Sequence, residues 1–190
     1  AVVVYSGLLK AFTGLNIVPF VKRFAKVAAV TFSTASSGAA LPVTKKAMDD
    51  SGVSNKVSSF TIPLGATINM DGTAIMQGAA TVFIAQIYGI ELGIGQIMAV
   101  IVTATLASIG TAAVPGVGLV MLSMVLRAVG LPVEGIGLIM GVDRILDMCR
   151  TTINVFGDCI CTLIISKSEN EFDEEKYYSD DDIMIDEVTA

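Results

Sequence analysis

The sequence has 190 residues, of which 53% are hydrophobic, and its mean hydropathy of +0.73 lies outside the range of ordinary soluble domains. It contains no His, which excludes a zinc site of the usual His and Cys composition, and we expect its three cysteines to be free thiols. The net charge of −6 arises in residues 169–190, because residues 1–168 carry eleven Lys/Arg against eight Asp/Glu. We therefore predict a multi-pass protein of the cell membrane, with the lipid bilayer as a partner and no nucleic-acid partner.

The first predicted elements are the end of a transmembrane helix with a cytoplasmic loop, residues 1–20, and a re-entrant helical hairpin, residues 21–56. Residues 24–37 are apolar but number only about fourteen, too few to cross roughly 30 Å of hydrocarbon. The segment breaks at "SSGAALP" and returns through the charged stretch "VTKKAMDDSGVSNK". Since Lys and Arg are enriched in cytoplasmic loops, we expect this hairpin to enter from the cytoplasm.

Residues 57–90 are long enough to span the membrane, but polar and helix-breaking residues lie in their middle: Pro63, Gly65, Asn69, Asp71 and Gly72. This combination predicts a transmembrane helix that is interrupted partway. Residues 91–130 form a second short apolar segment, which breaks at "GTAAVPGVG" and then resumes. Few basic residues flank it, so we place this second re-entrant hairpin at the outer face.

The two hairpin breaks resemble each other. The stretches "ASSGAALPV" at 35–43 and "ASIGTAAVPG" at 107–116 share Ala-Ser-x-Gly, followed by Ala-Ala and an apolar residue before Pro. Interrupted segments in corresponding positions of two halves are typical of the binding site of an inverted-repeat transporter. Chance recurrence of small residues is the alternative, but it does not explain why both hairpins are too short to span.

The last predicted transmembrane helix, residues 131–167, carries the densest set of polar groups. At 100° per residue, one face holds six of them, with Arg144 at its edge: Asp143, Asp147, Arg150, Thr151, Asn154 and Asp158. Such a face is turned to protein or water, because charges in lipid are costly. Structural ion pairs between helices are one interpretation. The excess of carboxylates favours a bound cation, however, and the planar fork of Arg150 suits a carboxylate ligand.

The broken segments provide complementary groups. Helix N-termini after the two breaks direct free N–H groups at an anion. Carbonyl groups near Gly65, Asn69, Ser108 and Ile109 are hard oxygen donors for a cation. One site could thus hold an anionic substrate together with cations. From residue 168 onward, low hydrophobicity and high charge predict an acidic, disordered cytoplasmic tail, residues 168–190, with a regulatory docking segment as the alternative.

Four ordered motifs carry a resemblance to a known family. The stretches "NMDGTAIMQG", "LASIGTAAVPGVG" and "DRILDMCRTTINVFGD", after "SSGAALPVT", closely resemble the C-terminal core of the dicarboxylate/amino acid:cation symporters, the glutamate transporter family. The resemblance covers residues 1–167. It implies an all-α membrane protein with two re-entrant helical hairpins plus two transmembrane helices, one of them interrupted, as part of an inverted-repeat core. It also implies a homotrimer with coupled sodium ions, and N-terminal scaffold helices missing from this chain, which starts without Met.

The same resemblance implies roles for individual residues. Arg150 corresponds to the arginine that binds the substrate side-chain carboxylate, and Asp147 to the aspartate that binds its amino group. Further substrate contacts are implied for Thr151, Asn154, Thr73, Ser36, Ser37, Val114 and Gly118. Three sodium sites are implied, consisting of Gly65, Asn69, Asn154 and Asp158; of Thr67, Ser108, Ile109 and Thr111; and of Asn69 with Asp71.

The chain departs from the family pattern at three positions, one of which is Gly38, where members usually have a third serine in the first hairpin. Archaeal members have an arginine where this chain has Ala35, and animal members have one where it has Met148. Arg144 lies one helical turn from Met148, and we hypothesise that it supplies the missing charge.

Together with the resemblance, these observations predict a transporter rather than an enzyme, performing sodium-coupled symport of aspartate or glutamate. The resemblance alone implies that it works by elevator-type alternating access. A sodium- or proton-coupled C4-dicarboxylate symporter is the main alternative. An intramembrane aspartyl protease using Asp71 and Asp158 would need one protonated carboxyl group, which Arg150 disfavours, and would leave the broken hairpins unexplained. A passive anion channel would not accumulate substrate against its gradient.

Overall fold

The computed structural model describes residues 1–110 and 112–179. Within them the secondary structure is helical, apart from a β-bridge between Val53 and Phe172. The helices are α1 (Val2–Thr13), α2 (Ile17–Thr34), α3 (Ser37–Asp50), α4 (Asn55–Ile68), α5 (Asp71–Ile87), α6 (Ile94–Ser108), α7 (Val117–Ala128), α8 (Ile136–Met140), α9 (Asp143–Ser168) and α10 (Glu174–Tyr178), with a 3-10 turn at Val133–Gly135. The predicted all-α class is confirmed, while the re-entrant course of the hairpins stays a prediction.

Helix α9 is the centre of the fold and packs against each of the first five helices. All six polar residues of its predicted face are buried, with at most 8% of any of them exposed. The face is thus turned to protein, as its charges require. On the other side of α9, Phe156 packs edge-on against Phe20 and Phe24, with ring centroids 5.2 and 5.1 Å away. Helix α9 is therefore fixed by an aromatic core on one side and positions polar groups on the other.

Among the helices that the structure describes, α9 is the one long and apolar enough to cross a membrane by itself. The predicted span at residues 57–90 is divided into α4 and α5, of 14 and 17 residues. Asn69 and Met70 lie between them in non-helical conformations. The interruption coincides with the polar centre of the segment, so neither half reaches the roughly 20 residues that a bilayer needs.

The two similar breaks lie against each other. Helices α2 and α3 pack together and are separated at Ala35, which has a left-handed φ of 50°, and at Ser36, whose hydroxyl accepts from the N–H of Ala39 at 3.1 Å. Helices α6 and α7 also pack together. Their connection contributes the carbonyl of Ala113, which accepts from the Ser36 hydroxyl at 2.8 Å and from the N–H of Gly38 at 3.3 Å. The connection between α2 and α3 therefore contacts the connection between α6 and α7.

A second apolar core holds α6 and α7 against α5. Its fully buried members include Ile84, Leu122, Val125 and Leu126. Gly135, in the 3-10 turn, lies so close to Ile84 that a Cβ there would be 2.5 Å from a methyl group of that side chain. This core fixes the position of the second break relative to α5.

Residues 169–179 do not follow the prediction of a disordered tail, which is wrong for this part. This C-terminal segment folds back along the ends of α2, α3 and α4. The Arg23 guanidinium donates to the carbonyls of Tyr177 at 2.8 Å and Ser179 at 2.9 Å, and the Tyr177 hydroxyl donates to the carbonyl of Asn16 at 2.8 Å. Burial raises the pKa of Tyr177, which is 0% exposed. Composition along the chain does not indicate these contacts with distant residues. Residues 180–190 of the predicted tail lie outside the described residues.

Candidate functional site

A buried ion pair forms the centre of the candidate site. The guanidinium of Arg150 binds one carboxylate oxygen of Asp147, one turn earlier on α9. The other oxygen accepts from the backbone N–H of Gly116, at the second break, at 2.7 Å. The remaining side of the guanidinium contacts the sulfur of Met76 at 3.5 Å. The aspartate thus links the second break to α9, and the arginine extends between α5 and α7.

Two glycines make room for this arrangement. The Arg150 guanidinium lies directly over Gly118, and a Cβ at that position would overlap its Nη1. At Gly72 a Cβ would lie 2.6 Å from the backbone oxygen of Arg150 and 2.9 Å from Oδ1 of Asn154. The N–H of Gly72 donates to that same Oδ1 at 2.7 Å. Both positions therefore require glycine for the close approach of their helices to α9.

A small cavity adjoins the ion pair, between the two breaks, the start of α5 and α9. Six of the nine predicted substrate contacts line it: Ser37, Thr73, Val114, Arg150, Thr151 and Asn154. The other three lie at its boundary: Asp147 bound to Arg150, Gly118 beneath the guanidinium, and Ser36 bound to Ala113. The structure thus brings the whole predicted set together, from four separate segments of the chain.

The first predicted sodium set lies next to this cavity. The Asn69 amide donates to Oδ1 of Asp158 at 2.8 Å, and a Cβ at Gly65 would lie 2.6 Å from the same oxygen. Asn154 lies one turn before Asp158 on the buried face of α9, and its amide donates to the Thr73 hydroxyl at 3.3 Å. The four residues of the set are therefore brought together at the interruption between α4 and α5.

The second predicted sodium set joins the end of α4 to the second break. The carbonyl of Thr67 accepts from the N–H of Gly110 at 2.8 Å, so it lies beside the end of α6. Ser108 is buried there, whereas the side chain of Ile109 is exposed. Thr111, the fourth member, lies outside the described residues. The three described members are thus close in the fold, with their backbone oxygens at two helix ends.

The third predicted set, Asn69 and Asp71, includes a partner that sequence reasoning missed. The Tyr5 hydroxyl donates to Oδ2 of Asp71. A Cβ at Gly157 would lie 2.5 Å from that hydroxyl and 2.8 Å from the Asn69 amide nitrogen, so α9 approaches both groups closely. Tyr5 stands in an apolar run 66 residues before Asp71, and no pattern in the sequence connects them.

The chemistry of these sets fits a hard cation. Among residues 1–110 and 112–179, no group of three His, Cys, Asp or Glu side chains converges on one point. The donors at the interruption and at the second break are carbonyl, amide and carboxylate oxygens, which suit hard cations rather than zinc or copper.

Arg144 lies apart from the buried face. It is exposed, and its guanidinium donates to the carbonyl of Ser33 at 3.5 Å, at the end of α2. Ala35, one of the two positions where the family resemblance implies an arginine, follows two residues later. The replacement of that charge by Arg144 stays a hypothesis, and its position near the first break is compatible with it.

Comparison with known proteins agrees with the motifs. The sequence profile of the sodium:dicarboxylate symporter family matches residues 1–168. The chain is 41% identical over 174 residues to the proton/sodium-glutamate symport protein of Geobacillus stearothermophilus, covering 92% of this chain and 41% of that protein. It is 54% identical over 128 residues to an excitatory amino acid transporter of Caenorhabditis elegans, covering 67% of this chain and 25% of that protein. It is 47% identical over 154 residues to excitatory amino acid transporter 2 of Mus musculus, covering 79% of this chain and 27% of that protein. The chain thus spans about two fifths or less of the length of these relatives.

Proposed function

Because the chain belongs to the sodium:dicarboxylate symporter family, we propose that it forms the substrate- and ion-binding part of a sodium-coupled symporter for acidic amino acids. The observation that supports this most is the buried pair of Arg150 and Asp147 beside a cavity lined by hydroxyl and amide groups. A cation and an anion placed next to each other are complementary to a substrate that carries both charges. Aspartate and glutamate have this property.

The proposed binding step exchanges one ion pair for another. The side-chain carboxylate of the substrate takes the place of Asp147 on the guanidinium of Arg150, where two parallel hydrogen bonds can form. Asp147, released from the arginine, then accepts the substrate amino group. Neither buried charge is left without a partner, so the energetic cost of separating them is offset by the substrate. Thr73, Thr151 and Asn154 would supply further hydrogen bonds from the cavity wall.

Coupling to sodium follows from shared residues. Asn69 contributes to two of the proposed sodium sets, and it is bonded to Asp158. Asn154 contributes to one sodium set and also lines the cavity. A cation bound at the interruption between α4 and α5 would thus fix the residues that face the substrate. Binding of one ligand would then favour binding of the other by the same factor.

We further propose that the two helix pairs α2/α3 and α6/α7 are re-entrant hairpins whose tips close the site from opposite sides. Their meeting at Ser36 and Ala113 supports this arrangement. Alternating access by an elevator-type motion, a homotrimeric assembly and a C-terminal tail on the cytoplasmic side belong to the same proposal. Helices outside this chain would provide the scaffold.

The alternatives explain less of the site. A C4-dicarboxylate symporter would use Arg150 but not Asp147, whose carboxylate would repel a substrate without an amino group. A protease dyad requires two carboxyl groups that share a proton. Asp71 is bonded to Tyr5 and Asp158 to Asn69, and within the described part of the chain the two carboxyl groups do not bind each other. The relatives are named as symporters and transporters, which also favours a transporter over an enzyme.

Uptake by the full-length protein in proteoliposomes tests the proposal. Radiolabelled aspartate, glutamate and succinate are offered with an inward sodium gradient, with a proton gradient, or with neither. We expect aspartate or glutamate to accumulate only with the sodium gradient. Preferred uptake of succinate would favour the dicarboxylate alternative, uptake driven by protons alone would contradict sodium coupling, and equilibration without accumulation would indicate a channel.

A further inference from the structure

A second cavity, separate from the site described above, lies between the first half of α2 and the last turns of α3. Its volume is about 260 Å³, and its lining contains four basic side chains, Lys22, Arg23, Lys26 and Lys46, and one acidic side chain, Asp50. We propose that this basic cavity binds the phosphate group of an anionic phospholipid in the cytoplasmic leaflet. The proposal is independent of the transported substrate.

The three lysines of the basic cavity lack partners. Among residues 1–110 and 112–179, none of them has a hydrogen bond or an ion pair. Three other lysines are paired with carboxylates, in Lys45–Asp49, Lys56–Glu171 and Lys167–Glu174. Lys22 and Lys26 are also four residues apart on α2, a spacing at which like charges repel each other. The lining holds one carboxylate, that of Asp50, against four basic groups, and a bound anion would balance the remaining positive charge.

Arg23 adds a buried charge to the same cavity. It is 8% exposed, and its guanidinium donates to three backbone carbonyls, those of Lys176, Tyr177 and Ser179. These acceptors are neutral, and the Nε–H group has no acceptor among the described residues. A buried cation without a counter-charge is costly. A phosphate in the adjoining cavity would supply that counter-charge at short range.

The surroundings of the cavity favour a lipid over a free phosphate ion. Val43 belongs to its lining and is 37% exposed, and on α2 the neighbouring Val18 and Val21 are 52% and 48% exposed. Exposed valines beside unpaired lysines offer an apolar surface to acyl chains and a charged one to a headgroup. The basic sequence around this end of the hairpin also predicts the cytoplasmic side, where anionic lipids attract clustered Lys and Arg.

The acidic residues that follow the C-terminal segment are the competing occupant. Ser179 is bonded to Arg23, and the next three residues are Asp180, Asp181 and Asp182. These acidic residues carry the charge that would compete with a phosphate for the same lysines. We favour the lipid because the valines would have no role in binding carboxylates, and the experiment below separates the two.

The test is a titration of the purified full-length protein in detergent with dioctanoyl phosphatidic acid. Binding is measured by isothermal titration calorimetry. Dioctanoyl phosphatidylcholine, with the same chains and no net charge, and inorganic phosphate are the comparison ligands. The variant Lys22→Gln/Lys26→Gln/Lys46→Gln removes the unpaired charges. Its matched control, Lys45→Gln/Lys56→Gln/Lys167→Gln, removes three paired ones. A third variant, Lys22→Arg/Lys26→Arg/Lys46→Arg, keeps the positive charge at all three positions.

We expect phosphatidic acid to bind the wild type and phosphatidylcholine not to bind. The first variant should weaken phosphatidic acid binding at least tenfold, the control less than twofold, and the arginine variant should retain binding. Equal weakening in the first variant and the control would overturn the proposal, as would inorganic phosphate binding as tightly as the lipid. If phosphatidic acid binds only after residues 180–190 are deleted, the acidic residues occupy the cavity and the lipid assignment is wrong.

Discussion

Asp147 and Arg150 form an ion pair across one turn of α9, with 3% and 4% of their side chains exposed. The pair lies between the tip of the second helix pair and the start of α5, because Asp147 also binds the Gly116 N–H and Arg150 contacts Met76. A charge buried this deeply is costly unless it is bound to an opposite charge, either the other member of the pair or a ligand. We therefore expect that removing one member alone destabilises the protein, and the proposed function assigns both members to the substrate.

The first prediction concerns the stability that this pair provides. Asp147→Ala would leave the Arg150 guanidinium buried without its carboxylate, and removing one member of a buried pair costs about 3–5 kcal/mol. We expect a clear fall in the melting temperature of the purified protein, measured by circular dichroism. Glu174→Ala, which removes an exposed pair with Lys167, is the control and should cost less than about 1 kcal/mol. Equal shifts in the two variants would contradict this account.

The second prediction uses the contact between Gly118 and Arg150. In Gly118→Ala the new methyl group would occupy the space of the guanidinium, which must then move away from the cavity. We expect KM for the acidic substrate to rise at least tenfold, or about 1.4 kcal/mol. Gly78→Ala is the matched control, because a Cβ there meets nothing within 4 Å and alanine is the better helix former. Unchanged KM in Gly118→Ala would mean that the guanidinium does not contact the substrate.

The third prediction concerns Tyr5, the partner of Asp71. Tyr5→Phe removes the hydroxyl that orients the carboxylate but retains the ring in the core beside Phe156. We expect the sodium concentration for half-maximal uptake to rise several-fold, while the melting temperature changes little. Tyr178→Phe is the control, because it removes a hydroxyl that accepts from the Asn16 N–H and belongs to none of the proposed sodium sets. It should leave the sodium dependence of uptake unchanged. A sodium dependence that is the same in Tyr5→Phe and wild type would remove Asp71 from the proposed cation site.

The fourth prediction concerns the C-terminal segment, residues 169–179. Arg23→Met removes the donors to the carbonyls of Lys176, Tyr177 and Ser179, and each hydrogen bond from a charged group contributes about 1.5–3 kcal/mol. We expect the segment to detach and to become sensitive to limited proteolysis. Lys10→Met, which removes a capping bond at the end of α1, is the control and should leave the segment resistant. If Arg23→Met and the wild type resist proteolysis equally, contacts other than those of Arg23 hold the segment in place and the prediction is wrong.

Much of the fold was predictable because the constraints are local. Ser and Gly lie at the breaks after α2 and α6, and a face with Asp147, Arg150 and Asp158 has no stable position in lipid. The interruption at Asn69 coincides with the polar centre of an otherwise apolar segment. These inferences need only the spacing of residues along one helix and the cost of burying charge.

The rest was not predictable because it depends on contacts between distant residues. Nothing in the sequence connects Tyr5 with Asp71. The composition of residues 169–179 is that of a disordered segment, yet Tyr177 is fully buried against α2 and bonded to Asn16. The ion pair of Asp147 with Arg150 could have been inferred from their spacing of three residues, but the sequence gives no sign that Gly116 would share the carboxylate.

The most direct test of the proposed function is sodium-driven uptake of radiolabelled aspartate and glutamate by the full-length protein carrying Arg150→Cys. The exposed Arg127→Cys, on α7, is the matched control. Loss of a paired, charge-assisted contact with the substrate carboxylate amounts to about 3 kcal/mol, or roughly a hundredfold in kcat/KM. We predict this loss for both substrates in Arg150→Cys and wild-type uptake in Arg127→Cys. Undiminished uptake of either substrate by Arg150→Cys would contradict the assignment of the buried arginine to the substrate.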